Sequence, residues 1–280
     1  MALSVEALLQ QDFPLNEPLY FIATFVASVI YYTIAYISDG TSATHNLRTL
    51  WYQQHRVSVQ RSQWLLSFVL LLTGVLLFKK HYNSILHISA SQWLLILVFP
   101  LAAVLYYGLN AWPGKYNLRS IGWLKPFVIG FIWAGLVTVY PVLFHDIVEP
   151  SGYSLNPVGA FLFIKNFMFI SVLCIMFDIK DYAMDSNAQL KTFVVKVGLR
   201  RTIFQIIIPL SLIGVMSFLI FGAIRGFSLM KLALNVIPFL LLILVAYSLH
   251  NRRSVLYYLI IIDGLMLVKA VCGTMAMIYF

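Results

Sequence analysis

Long apolar runs separated by short polar segments occupy almost the whole of this chain, at roughly 19–37, 64–78, 92–109, 124–143, 157–177, 203–222, 229–249 and 254–279. The runs are continuous, without the two-residue alternation of barrel strands, and most approach the ~20 residues that a helix needs to cross a hydrocarbon core. The pattern predicts an all-α polytopic transmembrane bundle of about eight spans, with residues 1–280 forming one transmembrane domain. The run at 64–78 is short, and its helix can begin inside the preceding polar segment. No soluble domain, low-complexity tract or short-period repeat is visible. The polar segments 38–63 and 178–202 each follow an apolar helix and lie four helices apart, a hint of duplicated halves.

Composition strengthens the membrane reading. Hydrophobic residues make up 61% of the chain and charged residues 10%, with a mean hydropathy of +0.88. Soluble domains carry about 25% charged residues, so lipid is the main solvent here. The net charge of +9 does not require nucleic acid, because the basic residues sort by side. Segments 38–63, 110–123, 178–202 and 250–253, with Lys125 at a helix edge, hold Arg48, Arg56, Arg61, Lys115, Arg119, Lys180, Lys191, Lys196, Arg200, Arg201, Arg252 and Arg253. The opposite side has Lys79, Lys80, Arg225 and Lys231, with the acids Glu6, Asp12, Glu17, Asp146 and Glu149. That bias places the first set in the cytoplasm and both chain ends outside. Cys174 and Cys272 lie in apolar runs and are expected as free thiols. Met1 to Gln11 has no basic stretch, so no cleavable signal peptide is expected.

Chemistry concentrates where the run 157–177 ends. Only ten acidic residues exist in the chain, and three of them form Asp178-x-x-Asp181-x-x-x-Asp185. At ~100° per residue these positions fall within roughly 60° of one another on a helix. Three carboxylates on one face at a membrane boundary repel each other and call for a cation, for which the hard ions Mg²⁺ and Ca²⁺ suit oxygen donors. The alternative is a solvated helix end balanced by Lys180 and Lys191. Lys191, Lys196, Arg200 and Arg201 follow, and cations beside carboxylates suit a diphosphate bridged by Mg²⁺. For the two arginines an ordinary cytoplasmic-side role accounts equally well.

The motif Asp178-x-x-Asp181-x-x-x-Asp185, followed by Lys191-Thr192 and Val194-Val195-Lys196-Val197-Gly198, resembles the second aspartate-rich motif of the UbiA superfamily of intramembrane prenyltransferases. Phe177-Asp178-Ile179-Lys180-Asp181 resembles the Phe-Asp-Ile-Arg-Asp form of a divergent bacterial branch. Asn117-Leu118-Arg119, Lys125 and the stretch from Trp133 to Pro141 resemble the family's middle segment, and Ile262-Asp263-Gly264 its last helix. The resemblance runs from about Leu19 onward. It implies a UbiA-type bundle in the bacterial inner membrane that holds a prenyl diphosphate through Mg²⁺ under a cytoplasmic cap and transfers the prenyl group to a hydrophobic acceptor. Carried over, Asp178, Asp181 and Asp185 are the catalytic, metal-binding carboxylates, and Lys191, Arg48, Asn46 and Asp263 are candidate substrate contacts.

Two departures accompany the resemblance. Where the family has a first aspartate-rich motif, the stretch Tyr31 to Asp39 keeps one acid, Asp39. The following loop offers His45, Asn46, Arg48, His55 and Arg56, either as direct diphosphate contacts or as solvated residues. The family's first helix also lacks a counterpart, and Ala2 to Leu9 is read as its remnant, cut by a downstream start codon.

Some polar residues lie within the apolar runs. Asp263 sits about nine residues into the last run, roughly 14 Å deep at 1.5 Å per residue, as a site residue or a hydrogen-bonded structural one. Lys269 points to a different face from Asp263, and Lys165 is read as a snorkelling side chain. Tyr106, Tyr107 and Asn110 either line the cap or belong to an interfacial aromatic belt. Competing readings are a non-catalytic homologue that binds isoprenoid or serves as a scaffold for a partner enzyme, and a small transporter using Asp263 and Lys165.

Overall fold

The computed structural model describes residues 1–38, 51–52, 54–107, 121–149, 157–187 and 191–280, with the side chains at 34–38, 107 and 183–187 outside the description. The chain is all-helical, and no strand occurs among the described residues. The principal helices are α1 (Ala2–Gln10), α2 (Pro18–Ser38), α3 (Arg56–Lys80), α4 (Ala90–Tyr107), α5 (Lys125–Val148), α6 (Pro157–Asn187), α7 (Leu199–Ile224), α8 (Leu229–Ser248) and α9 (Val255–Tyr279). Short helices at Tyr82–Leu86 and Phe193–Val197 lie between them.

Each of the eight apolar runs is helical over almost all of its described residues. Six described helices are long and apolar enough to cross a membrane, α3 and α5 to α9, whereas the apolar stretches Pro18–Thr33 of α2 and Ala90–Tyr106 of α4 are shorter. The chain is an integral membrane protein. The run expected at 64–78 is the middle of a 25-residue helix that starts at Arg56. The run expected to end at 177 continues as helix to Asn187, giving α6 31 residues. The reason is local. Residues 178–187 are polar but contain neither Gly nor Pro, so the helix has no cause to stop where its apolar character does.

Contacts divide the chain into two compact units. In the first, Met1 with residues 16–88 and 147–150, α2 and α3 form an antiparallel hairpin. Glu17, just before α2, accepts hydrogen bonds from Lys80 and from His81 Nε2 at 2.7 Å, both at the end of α3. Near the other end Gln63 donates to Thr33. Helix α3 buries only Thr73, while Trp64, Phe68 and Leu71 are 79%, 63% and 67% exposed. Such a surface on a soluble protein would be an association site; in a bilayer, acyl chains cover it.

The second unit holds the remaining residues, built around α6. Phe169, Val172, Leu173, Ile175 and Met176 are at most 1% exposed, and residues of α7, α8 and α9 such as Ile203, Phe239, Leu242 and Ile262 complete the same core. Helices in lipid gain little from hydrophobic burial and depend on close approach. Gly130 of α5 allows this, since a Cβ there would overlap the Ser171 hydroxyl of α6. Wider π-turns interrupt α5 at Gly135–Val139, α7 at Thr202–Ile207 and α9 at Tyr258–Ile262. Such turns recur at functional positions, and the last one ends at the residue before Asp263.

Helix α1 corrects an expectation. With nine residues it is about 14 Å long, too short to span, yet Leu3, Ala7 and Leu8 are buried and so are Glu6 and Gln10. Glu6 was expected among the acids of an external segment. It is 2% exposed inside the second unit. Lys165 and Lys269 draw it there.

Candidate functional site

Two groups of charged side chains are buried in the second unit. The first lies where α5 begins and the apolar part of α6 ends. Lys125, the first residue of α5, donates from Nζ to Asp178 Oδ1 at 2.9 Å. The Asp178 side chain is 6% exposed and that of Lys125 39%, so the pair faces outward through its cation. Asp178 Oδ2 is buried and accepts no hydrogen bond. A carboxylate oxygen in that state carries an unmet demand for a cation or donor.

The neighbours extend this group. Asp181, one turn on, is 35% exposed and lies 3.5 Å from Lys180. Asp181 and Lys180 both act electrostatically on Asp178. Tyr106 of α4 is 5% exposed and within electrostatic reach of Lys125, which places it inside the bundle and not in an aromatic belt. Cys174, one turn before Asp178, is within reach of Asp178, Lys125 and Asp263. Tyr258 of α9 is within reach of Asp181. Asp178, Asp181 and Asp263 are thus brought to one end of the bundle by α6 and α9. Asp263 itself has an exposed side chain at the start of the regular part of α9.

The segment after α6 folds back over this end. Lys191 is exposed, but its backbone carbonyl would stand 2.8 Å from a Cβ on Gly122, just before α5. Val194 is fully buried, Phe193 meets Phe127 edge-on with centroids 5.6 Å apart, and Lys196 lies 5.0 Å over the Trp123 ring. Lys191 is therefore held near the Lys125 end of α5. Helix α6 carries the backbone of Asp185, whose side chain lies outside the described residues, as do Asn46 and Arg48 entirely.

The donor chemistry suits Mg²⁺, with hard carboxylate oxygens, one of them buried and uncommitted. Asp178 and Asp181 are two such donors. Among the described residues no group of three or more His, Cys, Asp or Glu side chains is close enough to hold a metal ion.

The second group was not anticipated from the sequence. Glu6 of α1 accepts two hydrogen bonds from Lys269 Nζ of α9, at 2.9 Å to Oε1 and 2.7 Å to Oε2. Lys165 Nζ of α6 is 3.8 Å from Glu6 Oε1 and donates to Gln10 Oε1 at 2.8 Å. Gln10 Nε2 donates at 3.0 Å to both Glu6 Oε1 and Asn235 Oδ1 of α8. All five side chains belong to residues no more than 5% exposed. Lys165 therefore does not snorkel to an interface, and Lys269 has its partner on α1. Lys165 and Asp263 belong to different groups. The available signal was charge matching: two lysines inside apolar runs require an acid, and Glu6 interrupts an apolar patch of its own.

Comparison with family models, with curated proteins and with solved structures returns no match. The functional reading accordingly rests on the Asp178 group.

Proposed function

We propose that this protein is a membrane prenyltransferase resembling the UbiA superfamily, which holds a prenyl diphosphate through Mg²⁺ on the cytoplasmic side of a bacterial inner membrane and transfers the prenyl group to a hydrophobic acceptor. The observation that carries the reading is the state of Asp178: buried, with one oxygen paired to Lys125 and the other accepting nothing. It stands on the helix that also carries Asp181 and Asp185.

In this reading Asp178, Asp181 and Asp185 would hold Mg²⁺ and through it the diphosphate. When bound, the ion supplies Lewis-acid stabilisation to the departing pyrophosphate. Lys125 orients Asp178, and Lys191 contributes positive charge at the diphosphate. The bond between the prenyl C1 and its oxygen breaks with the electron pair leaving on pyrophosphate. The acceptor forms the new bond at C1 and gives up a proton. The apolar side chains of the bundle accommodate the isoprenoid tail and keep water from the developing allylic cation.

Purified protein incubated with labelled farnesyl or geranylgeranyl diphosphate and candidate acceptors should release pyrophosphate only with Mg²⁺. Release should fall sharply in Asp181→Asn and Asp185→Asn; release undiminished in both variants overturns the assignment. A second reading, an isoprenoid-binding homologue without turnover, is favoured by the Lys125 ammonium already neutralising Asp178 and by the single acid, Asp39, in place of a first motif. Labelled diphosphate retained intact by the protein, with no pyrophosphate formed for any acceptor, selects that reading.

A further inference from the structure

The second charged group has the construction of a binding site. Two ammonium groups, from α6 and α9, converge on one carboxylate, which takes both hydrogen bonds from Lys269 and a third from Gln10. The backbone is shaped around that carboxylate as well. At Gly273, one turn after Lys269, an added Cβ would stand 2.6–2.7 Å from Cγ, Cδ and Oε1 of Glu6. Only glycine leaves this cleft open. Aromatic faces line the lysines from behind, Phe169 at 5.8 Å from Lys269 Nζ and Phe218 at 5.1 Å from Lys165 Nζ.

The carboxylate that fills the cleft comes from a separate short element. Helix α1 is nine residues long, and its far end is fixed by Asp12, which has a positive φ of 61° and accepts from Arg225 at 3.1 Å. Remove Glu6, and two cations face a glycine cleft with one carboxylate's worth of space and no acid to neutralise them. We propose that Lys165, Lys269 and the Gly273 cleft form a carboxylate-binding site inside the bundle, of which Glu6 is the tethered occupant, and that a small monocarboxylate takes the place of the Glu6 side chain when it is absent. This proposal is independent of the prenyl-transfer reading, since none of its residues belongs to the Asp178 group.

The test is chemical rescue with acetate as the probe. Full-length Glu6→Ala protein in detergent should unfold at a lower temperature than the unsubstituted protein. Sodium acetate should raise its midpoint by about 2–4 °C over sodium chloride at equal ionic strength. The unsubstituted protein, Glu6→Ala/Lys269→Met and Glu6→Ala/Gly273→Ala should show no acetate-specific shift. A shift of equal size with chloride, an acetate shift that survives Gly273→Ala, or no shift in Glu6→Ala each overturns the proposal. Should Glu6→Ala be recovered folded from neither salt, the proposal likewise fails; recovery only when the membranes are extracted in acetate supports it.

Discussion

The two charged groups of the second unit solve the same electrostatic problem in opposite ways. Around Glu6 the carboxylate is saturated: Lys269 takes both oxygens, Gln10 adds a hydrogen bond, and Lys165 stands behind. Around Asp178 the carboxylate is half satisfied, one oxygen paired and the other bare, with its cation 39% exposed. A saturated buried network rigidifies a packing arrangement. A half-satisfied one at the mouth of a bundle retains capacity for a ligand. On the proposed function, α1 and Glu6 hold helices in register, and α6 and Asp178 serve the chemistry.

The sharpest way to break the comparison is to remove one cation from each group. Lys269→Met leaves Glu6 buried with Lys165 only at 3.8 Å; a broken buried pair of this kind costs about 3 kcal/mol or more. The midpoint of thermal unfolding should drop accordingly, and Lys269→Met/Glu6→Leu should recover much of the loss, because the isolated charge is then gone. A double variant no more stable than Lys269→Met would show that shape, not charge, is what the pair provides. Lys125→Met should cost less, about 1–2 kcal/mol, because solvent reaches that pair. Mg²⁺ should then raise the midpoint of Lys125→Met more than that of the unsubstituted protein, the divalent ion serving the carboxylate that the ammonium has left. Equal responses to Mg²⁺ would remove Asp178 as an ion-binding group.

The groups also differ in how far they could be read from the sequence. The acids at 178, 181 and 185 lie within eight positions of one another, so helix periodicity alone brings them to one face, and the apolar runs located every long helix. Glu6 meets Lys165 and Lys269 across 159 and 263 positions. Each of the three has an ordinary local explanation, as a terminal acid or a snorkelling lysine, and only the packing of α1 against α9 joins them. The helix that the Asp178-x-x-Asp181-x-x-x-Asp185 spacing presupposes does run on past Phe177, to Asn187. Hydropathy marks where lipid ends, whereas the helix ends where backbone propensity fails.

Asp178→Asn sharpens the comparison from the functional side. The substitution keeps the shape of the side chain but removes the charge that Lys125 pairs with, so stability should fall by about 1–2 kcal/mol, as in Lys125→Met. Prenyl transfer should fall about 100-fold or more, since loss of a direct metal contact exceeds the 10–100-fold effect of losing an outer-shell partner. A loss of stability with prenyl transfer undiminished in this variant would make Asp178 a structural residue like Glu6, and the contrast between the groups would disappear.

The smallest expected effect comes from a carboxylate outside both groups, Glu17 of the α2–α3 hairpin. Burial pushes its carboxyl up, but hydrogen bonds and charges from Lys80 and His81 outweigh that and hold it below its ordinary value of 4.5. The sign follows from linkage. A carboxyl with a depressed folded value binds its proton less readily when folded, so its contribution is complete above 4.5 and is lost as pH falls through the lower folded value. Lowering pH from 6 to 3, a window of about three units, should therefore destabilise the unsubstituted protein slightly more than Glu17→Gln. The pair is near the surface and is screened by salt, so the difference should shrink when the measurement is repeated at high ionic strength. A difference that persists undiminished in salt would mean that lipid or protein shields Glu17 as thoroughly as the bundle shields Glu6, and saturation, not depth, would then be what separates the structural carboxylates from Asp178.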